Sequence, residues 1–190
     1  MKLCKWIFLG VIMMGSMAIK EKYFAPISSN KVGVYWGAFD PPTSAHYAIM
    51  EIAIQKLSLK ELIVVVNNNS YKNYTHSLTE RRKMIENKTK ELGLKNIRIL
   101  HQDDSAKINY LFLRQLTSDP LYAIAGYDAY HRWRESCAQY EGNNYDAIVV
   151  VPRGDEEPIL LDENAFLLPI DPVYKYVSSS RVKNQNASLK

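Results

Sequence analysis

Two uninterrupted apolar runs, "ELIVVVN" at 61–67 and "YDAIVVVPR" at 145–153, constrain this chain more than any other feature. A strand with water on one face alternates apolar and polar side chains. A run this apolar must be covered on both faces, as a central strand of a parallel sheet is. The rest of the chain supplies the covers. "KVGVYWGAF" reads as a first strand. In "SAHYAIMEIAIQKLSL", Tyr47, Ile49, Met50, Ala53, Ile54 and Leu57 recur at helical spacing. A polar loop, "NNSYKNYTHS", precedes a helix expected from near Thr79 to Leu92-Gly93. "NIRIL" reads as a strand, "AKINYLFLRQLTS" as a helix, "LYAIAG" as a strand and "DAYHRWRESCAQYE" as a helix. After the second apolar run come a weak strand, "AFLLPI", and the start of a short helix, "SSSRVKNQ".

Strand and helix in alternation imply right-handed crossovers. The expectation is an α/β domain: a doubly wound, Rossmann-like parallel sheet with helices on both faces. Such sheets bind ligands beyond the carboxyl ends of their strands, where the strand order reverses. The composition agrees. At 190 residues one domain is the default, and 47% hydrophobic with 23% charged residues excludes a disordered chain. The net charge of +4 suits a small anionic ligand and is too weak to argue for nucleic acid. The two cysteines, Cys4 and Cys137, form neither a disulfide framework nor a zinc pattern. The histidines other than His46 form no metal pattern either.

The first residues read differently. Lys2 and Lys5 precede an apolar run from Trp6 to Met14 and then Ser16-Met17-Ala18, the pattern of a secretory signal peptide. The same residues suit a retained anchor, or a start placed too far upstream with Met13, Met14 or Met17 as the true one. Residues 1–18 are therefore set apart as a signal-like or anchor segment, 19–30 as a linker and 31–190 as the domain. Membrane association is expected only through residues 6–18. The compartment is cytoplasmic without processing, and exported or anchored with it. A homo-oligomer stays open.

The turn after the first strand, "GAFDPPTSAH", falls where such a sheet binds ligands. Gly37 allows close approach of backbone to a ligand. Pro41 and Pro42 set up a helix start, and Thr43 or Ser44 suits its N-cap. Free N–H groups at that start make a phosphate site. Thr43 and His46, three residues apart, share a face of the first turn. On spacing alone, a capping Thr43 with an incidental His46 is an equally good account.

"GAFDPPTSAH" resembles the signature G-x-F-D-P-x-[HT]-x-G-H of the nucleotidyltransferase superfamily, with Ala45 in place of its second glycine. "VSSSRVK", at 177–183, resembles that superfamily's I-S-S-[ST]-x-[IV]-[RK]. Thr43 and Lys183 are similar to phosphopantetheine adenylyltransferase. The double proline, "AIAGYDAYHRW" and "VVVPRG" resemble the nicotinate or nicotinamide mononucleotide adenylyltransferases more closely. The resemblance implies adenylyl transfer from ATP to a mononucleotide phosphate, with Mg²⁺ bridging the phosphates. Phosphopantetheine adenylyl or cytidylyl transfer, or a non-catalytic nucleotide-binding relative, are its alternatives. It assigns His46 to the α-phosphate and Thr43 to the triphosphate. Backbone of Gly37, Ala38 and Phe39 would line the nucleotide cleft, and Ser179, Ser180 and Lys183 would hold the β- and γ-phosphates. Asp128 would bind the ribose and Trp133 would stack on the pyridine ring. Lys72, and Arg81 or Arg82, would reach substrate phosphate.

Overall fold

The computed structural model describes residues 30–68, 72–102, 108–136, 142–155 and 157–187. The signal-like segment and nearly all of the linker lie outside these residues, as does Cys137.

Six strands form one sheet: β1 (Lys31–Gly37), β2 (Leu59–Asn67), β3 (Ile97–Gln102), β4 (Leu121–Gly126), β5 (Ala147–Val151) and β6 (Ala165–Leu167). Their order is β3-β2-β1-β4-β5-β6, and every pairing is parallel. Among the described residues five α-helices accompany them: α1 (Ser44–Lys56), α2 (Leu78–Glu91), α3 (Tyr110–Leu116), α4 (Tyr127–Ser136) and α5 (Ser179–Ala187). The doubly wound expectation holds, and the strand order reverses between β1 and β4, which pair directly.

The two apolar runs are β2 and β5, and both are buried on both faces. Leu62, Val64 and Val66 join Ile49, Met50 and Ile85 in one core. Ile63 and Val65, from the other face of β2, join Val34, Leu113 and Tyr145 in a second. In β5, Val149 and Val151 belong to the first core, whereas Ile148 and Val150 pack with Tyr127 and Tyr130 of α4. Burial of each such side chain contributes roughly 1.5–3 kcal/mol.

Several boundaries depart from the sequence reading, two of them for a local reason. The third helix starts at Tyr110, after Ile108 and Asn109, because the Asn109 side chain caps it, accepting from Phe112 N at 2.9 Å; the start expected near Ala106 lies outside the described residues. The first strand ends at Gly37 and not at Phe39, because Phe39 turns into the left-handed region at φ 49°.

Candidate active site

The β1–α1 loop is built around that turn. Phe39 folds back so that its ring covers Gly37, and a Cβ added at Gly37 would lie 2.7–2.9 Å from ring carbons. The glycine at 37 is thus required by Phe39, a different reason from the ligand approach expected of it. The Phe39 ring also meets the His46 imidazole edge-on, with centroids 5.0 Å apart.

Thr43 caps α1 in an extended conformation, as the sequence suggests. The third helical residue, His46, reaches back, and its Nδ1 accepts the Thr43 backbone N–H at 2.9 Å. Thr43 Oγ1 lies 2.8 Å from the same nitrogen. A histidine takes the place that Glu or Gln holds in an ordinary capping box. Because Nδ1 is an acceptor, the neutral ring carries its proton on Nε2. Burial, and then the charge of Arg153, push the His46 pKa down to about 3. The imidazole is therefore a neutral, fixed N–H donor at neutral pH.

Asp40, 3% exposed, organises the surrounding segments. Its Oδ2 accepts Thr75 N at 2.7 Å and Lys183 Nζ at 2.5 Å. Its Oδ1 accepts His76 N at 3.0 Å and lies 2.8 Å from His76 Nδ1. Burial works to raise the carboxyl pKa. The hydrogen bonds from Lys183, Thr75 and His76 outweigh it and hold the group at about 2.

Helix α5 meets the same loop. Ser178 caps it, accepting Arg181 N at 3.3 Å. Ser179 Oγ donates to Pro41 O at 2.8 Å, and one turn further Lys183 reaches Asp40. The two sequence motifs, 143 residues apart by this pair, are in direct contact. Ser180 lies beside them and is exposed.

Across the strand-order reversal, a cavity of about 410 Å³ is lined by Tyr127, Asp128, His131, Arg153, Gly154 and Asp155. It opens at the carboxyl ends of β4 and β5, where Asp128 occupies the first turn of α4. The Asp128 carboxylate accepts Arg132 NH2 at 3.0 Å. The Arg153 charge lies near the buried Tyr35 hydroxyl, whose pKa burial raises. Arg153 Nε is buried with no partner among the described residues, as is His131 Nε2. These are polar groups at the cavity that a polar ligand could satisfy.

Not every expected residue faces this crevice. Arg81 is 0% exposed. It donates to His76 O at 3.1 Å, Ala38 O at 2.6 Å, Asn67 O at 2.8 Å and Asn68 Oδ1 at 2.8 Å, so its guanidinium ties loop segments together. Arg82 is half-buried and paired with Glu86 at 2.7 Å. Trp133 packs against Trp36 and Tyr145, with centroids 6.5 and 6.0 Å apart, so the core already gives that ring a place. Lys72 is exposed on the β2–α2 loop. Sequence reasoning gave no role to Asp40 or His76. Asp40 carried a faint signal, as a carboxylate set between Phe39 and Pro41. The pairing with Lys183 had none.

A parallel sheet with its reversal at β1/β4, and two helix starts converging on one glycine-led turn, define a doubly wound, Rossmann-like α/β domain. The chain belongs to the cytidylyltransferase-like family, whose model matches residues 34–185. Among curated relatives, the phosphopantetheine adenylyltransferase of Fusobacterium nucleatum is 49% identical over 55 residues, 29% of this chain and 32% of that protein. A probable nicotinate-nucleotide adenylyltransferase of Acholeplasma laidlawii is 32% identical over 99 residues, 50% of this chain and 53% of the relative. The matched stretches thus span a third to a half of those relatives. The Plasmodium falciparum nicotinic acid mononucleotide adenylyltransferase complexed with NaAD shares the fold. Its TM-score is 0.61 at 18% identity, over 82% of this chain and 83% of that one.

Proposed function

We propose that this protein transfers an adenylyl group from ATP to the phosphate of a small mononucleotide, nicotinate or nicotinamide mononucleotide, releasing pyrophosphate. The observation that carries this reading is the docking of α5 on the β1–α1 loop through Ser179 and Lys183. It sets a second helix start beside the one that holds Thr43 and His46.

The chemistry needs no protein nucleophile. An acceptor phosphate oxygen attacks the α-phosphorus of ATP, and the bond from that phosphorus to the oxygen bridging to the β-phosphate breaks. Catalysis is positioning and neutralisation of charge. His46 Nε2–H donates to an α-phosphate oxygen, and its neutrality means that it stabilises charge without giving up a proton. Thr43, Ser179, Ser180 and Lys183 serve the triphosphate. Backbone from Gly37 to Phe39 lines the cleft. Asp128, at the 410 Å³ cavity, takes the ribose hydroxyls. Trp133 offers the pyridine ring an edge of its aromatic cluster, and Lys72 the acceptor phosphate. Asp40 already receives donors on both oxygens. Mg²⁺ on this reading enters with ATP as part of the substrate, held by phosphates and water.

The second reading, phosphopantetheine as acceptor, is favoured by the 49% identical segment of the Fusobacterium enzyme. Pyrophosphate release from ATP or CTP, measured with a panel of acceptors, separates the readings. Turnover of a pyridine mononucleotide with ATP is expected. Turnover of phosphopantetheine alone would establish the second reading. ATP binding with no pyrophosphate from any acceptor would make the protein a non-catalytic nucleotide binder.

A further inference from the structure

We propose that Asp40 is a positioning residue that stands in for the ATP polyphosphate, holding Lys183 in the ligand-free protein and surrendering it when ATP binds. The inference rests on the adenylyltransferase reading and adds an exchange step to it.

The geometry argues for exchange over a permanent tie. Removing one partner of a buried ion pair ordinarily strands the other charge, at severe cost. Asp40 would not be stranded. Without Lys183 its carboxylate keeps Thr75 N, His76 N and His76 Nδ1, three contacts divided between its two oxygens. Those come from a single short loop that Arg81 pins to the ends of β1 and β2 by carbonyl contacts at Ala38 and Asn67. Lys183 differs from them in every respect. It belongs to another helix, it ends a long flexible stem and its side chain is 32% exposed, against 3% for Asp40. Its helix meets the loop on one face, with Ser179 and Lys183 one turn apart. A rotation of the lysine stem, with Ser179 still on Pro41 O, carries the ammonium from Asp40 toward a polyphosphate at the start of α1. The ammonium thus passes from one anion to another and is never left bare.

The exchange has a consequence that a static anchor lacks. In the wild type, ATP must first break the Asp40–Lys183 pair, so Asp40 opposes ATP binding through Lys183. Asp40→Asn keeps an acceptor for His76 N, gives up the one for Thr75 N and releases the lysine. ATP and inorganic tripolyphosphate should then bind about threefold to tenfold more tightly to Asp40→Asn than to wild type, and AMP equally well. In a Lys183→Ala background the same Asp40→Asn change should alter ATP affinity less than about twofold. Titration calorimetry on the four proteins reads this directly. Tightening that persists in the Lys183→Ala background would mean simple relief of charge repulsion and overturns the exchange. So does ATP binding that is unchanged or weaker in Asp40→Asn. A wild type that binds neither ATP nor tripolyphosphate overturns the adenylyltransferase reading and the exchange together. If Asp40→Asn does not fold, the Lys183 Nζ resonance of the ¹⁵N-labelled wild type decides. It should move on saturation with ATP or tripolyphosphate and stay with AMP, and a resonance that stays with all three overturns the proposal.

Discussion

At the scale of single residues, the imidazole of His46 is the group whose state matters most. With Nδ1 occupied by the Thr43 amide and the pKa near 3, it does not titrate where an ordinary histidine does. The rate of adenylyl transfer should therefore show no inflection near pH 6.5 that disappears in His46 variants. His46→Ala should lower turnover by about 10²–10³, the usual cost of losing one preorganised donor, with the fold intact. A variant retaining half the wild-type rate would remove His46 from the chemistry. The same burial affects stability. In the unfolded chain His46 titrates near 6.5 and in the folded one near 3, so between these values the unfolded state holds more protons. The stability that His46 brings is full above about 6.5 and is lost as pH falls toward 3, with a slope of up to about 1.4 kcal/mol per pH unit. Asp40 acts in the same direction but lower: its contribution is full above 3.8 and lost as pH falls through 2. Urea melts at pH 7 and pH 4.5 should show the wild type losing more stability than His46→Asn. Equal losses would mean that the ring is charged in the fold. The "GAFDPPTSAH" turn announced Thr43 and His46 in the sequence, because capping and phosphate binding depend on local spacing. Nothing local announced the neutrality of His46, which comes from burial and from Arg153, 107 positions further along the chain.

At the scale of elements, the β2–α2 connection is set by α2 and not by the loop itself. The buried stripe of α2 runs Arg81, Ile85, Thr89, and Arg81 extends from it under the loop. Its guanidinium lies 4.0 Å from the Tyr74 ring centroid while it bonds three carbonyls at the ends of β1, β2 and the loop. Arg81→Met keeps length and helix propensity but leaves those carbonyls unsatisfied. It should cost roughly 3 kcal/mol or more in a denaturant melt. Arg82→Ala, off the buried stripe, should stay within about 0.5 kcal/mol. A loss below about 1 kcal/mol for Arg81→Met would show that the loop is held by other means. The two arginines of "TERRKM" look alike in the sequence, yet the pattern distinguishes them. Arg81 is three residues after Leu78 and four before Ile85, the spacing of one helix face. The resemblance that pointed to substrate phosphate left the two arginines undivided, and it is burial on this face that separates them.

At the scale of the whole molecule, the strands were legible because two of them carry long apolar runs, and their parallel pairing followed from the helices between them. The order β3-β2-β1-β4-β5-β6 was not, since it depends on how crossovers pack and not on any one strand. That order sets β1 at the reversal and lets α5, last in the described chain, return to the first turn. The two kinds of attachment differ: α5 meets the β1–α1 loop through polar contacts that include Ser179 and Lys183, whereas each central strand is buried on both faces. The molecule thus divides into a sheet that folds by apolar burial and a C-terminal helix that, on the proposed function, completes the polyphosphate site. Ending the chain after Val177 should leave a cooperatively folding domain. Its stability should fall by about 1.5–3 kcal/mol, the scale of one hydrogen bond to a charged group, because Asp40 retains its loop donors. Binding should respond far more selectively. The shortened protein should bind ATP no better than AMP, since the groups assigned to the β- and γ-phosphates leave with α5. Calorimetry with both nucleotides checks this, beside a denaturant melt. A shortened chain that still prefers ATP over AMP would place the polyphosphate elsewhere in the crevice. One that fails to fold would make α5 part of the core.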